Sequence, residues 1–179
     1  HYHAIPKRER TYNHDISRQV RTLCQALEGA TDEEEMFRLI TDYYRQYGFG
    51  VFAMNRAFRI RRSGESVEFL PISNIDGVML EDLLGYEQQK RELRQNTEAF
   101  LAGKHANNVL LYGDAGTGKS TSVKALINEY YDSGLRMIEI YKHQFRDLSA
   151  VIAAVKRRNY RFIIFIDDLS FEENEVEYK

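Results

Sequence analysis

The run Asn108-Val-Leu-Leu-Tyr-Gly-Asp-Ala-Gly-Thr-Gly-Lys-Ser120 constrains this chain more than any other stretch. It reads as a short buried strand, a glycine-rich turn and the start of a helix. From Gly113 to Ser120 it fits G-x-x-x-x-G-K-[ST], the pattern of a loop that cradles phosphate. Gly113, Gly116 and Gly118 permit backbone angles and a close approach that a side chain would block. Loop amides can then converge on phosphate oxygens at the positive end of a helix. Lys119 is placed to reach β- and γ-phosphates, and the Ser120 hydroxyl to ligate magnesium. Gly-rich turns also precede helices that bind nothing, but the complete motif behind a strand points to phosphate.

A second signal lies downstream. Arg161-Phe-Ile-Ile-Phe-Ile-Asp-Asp168 reads as a fully buried strand that ends in two carboxylates, with Asp167 lying 47 residues after Ser120. In open α/β sheets ligands sit at the carboxyl edge, so Asp167 is expected to hold magnesium through its water shell. Asp168 is placed to orient or deprotonate an attacking water. The alternative is a buried strand that merely ends in a polar turn.

Between and around these motifs the pattern alternates. A helix is expected over about Glu87 to Leu101, a strand over Val109–Tyr112, and a helix from Lys119 to about Tyr131. A strand follows over Leu135–Tyr141, then a helix carrying Leu148, Val151, Ile152 and Val155, then the strand ending at Asp168. That succession predicts an α/β fold, a parallel sheet with helices on both faces.

The first part of the chain differs. Ile16, Val20, Leu23 and Leu27 recur at helical spacing, and Thr31 with Glu34 forms a capping box ahead of a second helix. The apolar face of that helix carries Phe37, Ile40, Tyr44 and Tyr47, read as core, with a partner surface as the alternative. Phe58 and Ile60 alternate with arginines, and Val67 and Phe69 flank Glu68 across Ser63-Gly-Glu-Ser66, which predicts a β-hairpin. Arg56, Arg59, Arg61 and Arg62 make the densest basic cluster. A solvated strand face paired with Glu65 and Glu68 is the simpler account, and contact with nucleic acid or a neighbouring subunit the other. Pro71 and Ser73-Asn-Ile-Asp-Gly77 mark a linker. The boundary is expected near residue 75, giving an N-terminal helical and hairpin region over 1–75 and a nucleotide-binding domain over 76–179.

A formal charge of −2 gives no bulk pull toward nucleic acid or membrane, and the lone Cys24 excludes an internal disulfide. The longest apolar run, Ala150–Val155, is too short to cross a bilayer, and no signal peptide is visible, so a cytoplasmic protein without a membrane partner is expected. The start at His1 and the stop within an acidic tail suggest a fragment.

Leu83-Leu-Gly-Tyr86, Gly113-Asp-Ala-Gly-Thr-Gly-Lys-Ser120 and Phe162-Ile-Ile-Phe-Ile-Asp-Asp168 resemble the adenine-contact segment, Walker A and Walker B of the AAA+ ATPases. Asp82-Leu-Leu-Gly-Tyr-Glu-Gln88 and Asp167-Asp-Leu-Ser-Phe-Glu-Glu173 look more closely like an uncharacterised bacterial ATP-binding family of that superfamily, over about residue 35 to the end. The resemblance implies ATP and Mg2+ as cofactors, assembly into a homo-oligomer, and ATP hydrolysis that remodels an unknown macromolecule, DNA or protein. It implies nucleotide contacts from Gly113, Ala115, Gly116, Thr117, Gly118, Lys119, Ser120 and Thr121, with Leu84, Gly85 and Tyr86 on the adenine side. From the residues alone, Leu84 is a core side chain and Tyr86 a helix-start residue. Ser120 and Asp167 would hold the metal, and Asp168 and Lys119 would act in catalysis.

Two features depart from the superfamily. Asp168 stands where most members carry glutamate, about 1.5 Å longer in reach, and Glu172 or Glu173 is an alternative base. The sensor, arginine finger and lid that follow Walker B are absent from this stretch, so alone it is expected to be poorly stable and nearly inactive. A non-hydrolysing nucleotide switch and a small-molecule kinase are the competing functions.

Overall fold

Alternation in Ala57–Pro71 folds into the expected hairpin. Strands β1 (Ala57–Ser63) and β2 (Ser66–Pro71) pair antiparallel across Gly64, whose φ of 62° suits the turn. The structure, a computed structural model, describes residues 14–48, 50–73, 75 and 77–167. Two compact units divide between Met54 and Asn55, earlier than the linker near residue 75.

In the first unit, α1 (His14–Glu28) packs on α2 (Glu33–Tyr47), and a short α3 (Val51–Met54), not anticipated, buries Phe52 and Ala53. The cap of α2 falls one residue later than expected. The Asp32 carboxylate accepts the Glu35 amide at 2.8 Å, and Glu35 accepts the amide and hydroxyl of Thr31 at 3.0 and 3.1 Å. Aspartate caps at least as well as threonine. The Thr31 donors hold the Glu35 carboxyl below the usual glutamate range.

The core face of α2 also differs from expectation. Leu39, Tyr43 and Tyr47 are half-buried, whereas Phe37 is 72% exposed, Tyr44 55% and Ile40 38%. A pair of short helices covers only a narrow strip of each, so the rest of an apolar surface stays open.

The second unit is built on a four-stranded, mostly parallel sheet of order β2-β1-β3-β4, with β3 over Leu135–Ile140 and β4 over Arg161–Ile166. β1 runs parallel to β3, with Ala57 opposite Met137 and Arg59 opposite Glu139, and β3 runs parallel to β4. The hairpin therefore belongs to this sheet. Helix α5 (Lys119–Tyr130) lays Val123 and Ile127 on Ala57, Leu135 and Met137 of one face. Phe58, Ile60, Ile138 and Ile140 are buried at the alternate positions, and α6 (Leu148–Val155) buries Val151 and Val155 beside β2. Helix α4 (Glu87–Leu101) packs on α5.

The arginines of β1 fasten the hairpin. Arg61 pairs with Glu68 at 2.6 Å, as the solvated-face account expected. Arg59 instead pairs with Glu139 of β3 at 2.6 Å, and Arg62 with Asp147 just before α6 at 2.7 Å. Arg56 donates to Asn128 at 2.7 Å and lies over the Tyr131 ring. Asp147 is buried, and Arg62 is the sole hydrogen-bond partner of its carboxylate among the described residues. Arg62→Ala should therefore cost about 2 kcal/mol, the scale of stranding a buried carboxylate, read as a lower midpoint in urea unfolding.

β3 is buried along its whole length, including Arg136. Its guanidinium lies between the rings of Tyr131 and Tyr160, at 4.0 and 4.6 Å, and donates to the carbonyls of Tyr131 and Leu135. Burial pulls its pKa down.

Two strand expectations are corrected. Val109–Tyr112 is not a strand: Val109, Leu110 and Tyr112 are 52, 75 and 89% exposed. A strand needs a ladder partner for its backbone groups, and the described sheet ends at β4 without one for this run. β4 itself is half-buried rather than fully buried, as an edge strand is.

Candidate functional site

The phosphate loop takes its shape from three glycines with positive φ: Gly113 at 138°, Gly116 at 77° and Gly118 at 85°. At Gly118 the backbone turns directly into α5, so the helix N-terminus faces the loop. A side chain at Gly116 would project into open space, so that glycine serves conformation rather than packing. The Thr117 hydroxyl donates to the Asp114 carbonyl at 2.9 Å and braces the loop from within. Ala115 is exposed, and Thr117 and Thr121 are half-buried along the same turn.

Lys119 folds over this loop. Its ammonium donates to the carbonyls of Gly113 and Asp114 at 2.9 and 2.7 Å, and no carboxylate neutralises it among the described residues. A positive charge held only by backbone dipoles is matched to an incoming anion.

The sequence-distant partner arrives from the sheet. β4 ends at Ile166, and the next residue, Asp167, accepts a hydrogen bond from the Ser120 hydroxyl at 2.8 Å. Residues 47 positions apart are thus joined at the carboxyl edge of the parallel strands. Asp168, Glu172 and Glu173 lie outside the described residues.

The segment before α4 also reaches the loop, through Leu83. A side chain at Gly118 would meet Leu83 Cδ2 at 3.6 Å, and Leu83 packs on the cluster of Leu80, Leu93, Ala125 and Leu126. Lys90 donates to the Leu83 carbonyl at 2.8 Å and pairs with Glu87 at 2.6 Å, which pins the segment to α4. Leu84 is 92% exposed, which overturns its reading as core. Gly85 and Tyr86 have φ of 77° and 60°, and Tyr86 caps α4 as a helix-start residue. The two adjacent leucines follow the 3-10 turn at Leu80–Asp82, which carries no helical periodicity from which to tell the inward one from the outward one.

The donor set also bears on magnesium. Among the described residues no group of three His, Cys, Asp or Glu side chains is placed to hold a metal ion. One hydroxyl and one carboxylate, Ser120 and Asp167, suit Mg2+ only when water and phosphate oxygens complete an octahedron. Magnesium without nucleotide should therefore give no saturable signal in calorimetry at millimolar concentration, and a tight nucleotide-free site would contradict this donor count.

A glycine loop opening a helix, a lysine aimed at it and an acid at the end of a parallel strand place the chain among P-loop NTPase-like α/β proteins. More narrowly, the chain belongs to the family described as "Protein of unknown function (DUF815)", whose model matches residues 53–179. It is similar to the replication factor C large subunit of Staphylothermus marinus, 38% identical over 66 residues, or 36% of this chain. It is also similar to that of Aeropyrum pernix, 29% identical over 99 residues, or 50% of this chain. The matched stretches span 15 and 20% of those two relatives. These likenesses support the AAA+ relation carried by the motifs. No solved structure matches. No described helix is long and apolar enough to cross a membrane.

Proposed function

We propose that this protein binds ATP with magnesium and hydrolyses it, using the cycle to drive conformational remodelling of a macromolecular partner. The observation that carries this proposal is the 2.8 Å hydrogen bond from Ser120 to Asp167, beside the carboxylate-free Lys119. The loop amides from Gly113 to Thr121 and the Lys119 ammonium bind and orient the phosphates. Ser120 and Asp167 hold the metal, which supplies charge neutralisation at the β- and γ-oxygens. Leu84, Gly85 and Tyr86 form the adenine side, their exposure leaving them open to a base. Asp168 takes the proton from water. The protein works in the cytoplasm as a homo-oligomer, with the first unit, residues 1–54, as its partner or oligomerisation module and DNA or protein as the partner.

ATP titrated into the full-length protein should bind at least tenfold tighter with Mg2+ than with a chelator. Asp167→Asn should remove most of that difference. Affinity indifferent to magnesium in the unsubstituted protein would sink the proposal. The shorter carboxylate at Asp168 favours one competitor, a nucleotide switch that binds without turnover. Phosphate release from ATP with no added acceptor separates the two.

A further inference from the structure

Helix α2 presents an apolar stripe that the described residues cover only in part, Phe37 at 72% and Tyr44 at 55% exposure being its most open side chains. Phe37, Ile40 and Tyr44 recur at i, i+3 and i+7, so they line one side of the helix, and Met36 borders them at 42% exposure. Charge is distributed unevenly along this stripe. Glu33, Glu34 and Glu35 occupy the first turn and Arg45 the last. Glu35 is consumed by the Thr31 cap, while Glu33 and Glu34 have no partner among the described residues. Arg45 reaches only the exposed Asp42 one turn back.

Glu34 and Arg45 are eleven positions apart, three turns of helix, so they lie on the same flank of the stripe. We propose that α2 pairs antiparallel with α2 of a second copy of this chain, Glu34 of each meeting Arg45 of the other across a two-fold axis beside Ile40.

The occupant follows from self-complementarity. A two-fold interface brings one patch against itself, so each charge must find its opposite on the same patch. With the axis between residues 39 and 40, position 34 of one helix stands opposite position 45 of the other. Phe37, Ile40 and Tyr44 then meet across the middle, and the helix dipoles oppose one another. A parallel pairing would instead stack the acidic first turns of both copies and repel.

Sedimentation equilibrium of the full-length protein without nucleotide tests this pairing. The unsubstituted protein should show a concentration-dependent dimer. Glu34→Arg alone, or Arg45→Glu alone, should weaken self-association at least tenfold, because each places like charges in both contacts. An equimolar mixture of the two variants should recover the original affinity within about threefold, since both contacts then pair opposite charges. Phe37→Ser, at a largely exposed position where folding is undisturbed, should also weaken the dimer at least tenfold. A protein that stays monomeric, a dimer indifferent to these variants, or a mixture that does not recover would each overturn the pairing.

Discussion

Lys119→Ala is expected to weaken ATP binding roughly 30- to 150-fold, the equivalent of about 2–3 kcal/mol for charge-assisted hydrogen bonds to phosphate. Fluorescence titration with a labelled ATP analogue reads this directly. The size rests on what Lys119 does in the structure. Its ammonium touches only two carbonyls of its own loop, those of Gly113 and Asp114, and meets no acid among the described residues. Binding phosphate therefore breaks no ion pair, and the full attraction to the anion is available. The same observation limits the damage to the fold. Both contacts are exposed, so the variant should melt within about 2 °C of the parent, a shift worth under 1 kcal/mol for a chain of this size. An affinity unchanged within threefold would mean that phosphate does not lie over this loop.

Asp168→Asn has the largest expected effect on rate. General-base catalysis contributes about 10²–10⁴-fold, so single-turnover phosphate release from the full-length protein should fall by that factor. ATP affinity should hold within threefold, because the substitution leaves Ser120 and Asp167, the proposed metal ligands, untouched. Asparagine preserves shape and removes only the basic oxygen. Release that survives the substitution would strip Asp168 of its role and turn attention to Glu172 and Glu173. No release even before substitution would favour the switch that binds without turnover.

Much of the fold was legible in the sequence because its signals are local. Glu87–Leu101, Lys119–Tyr130 and Arg161–Ile166 follow from caps, periodicity and a β-branched apolar run. The glycine loop and its approach to Asp167 were legible for the same reason. What was not legible depends on distant partners. Val109–Tyr112 has every local mark of a strand but no ladder neighbour, and Phe37 and Tyr44 have a core period but no covering element. Arg59 and Arg62 were expected to look toward glutamates in their own hairpin. Their partners, Glu139 and Asp147, lie eighty or more positions along the chain.

That distance has a consequence for how the protein is made. Ala57 pairs with Met137, eighty positions later. At about 5–20 residues per second, β1 leaves the ribosome roughly 4–16 s before the strand that completes its second edge. During that wait the hairpin shows an open row of backbone donors and acceptors, an invitation to neighbouring nascent chains. Charged side chains on an open edge discourage such pairing. Arg59 thus has two occupations in time: sentry while β3 is unmade, clasp once Glu139 arrives.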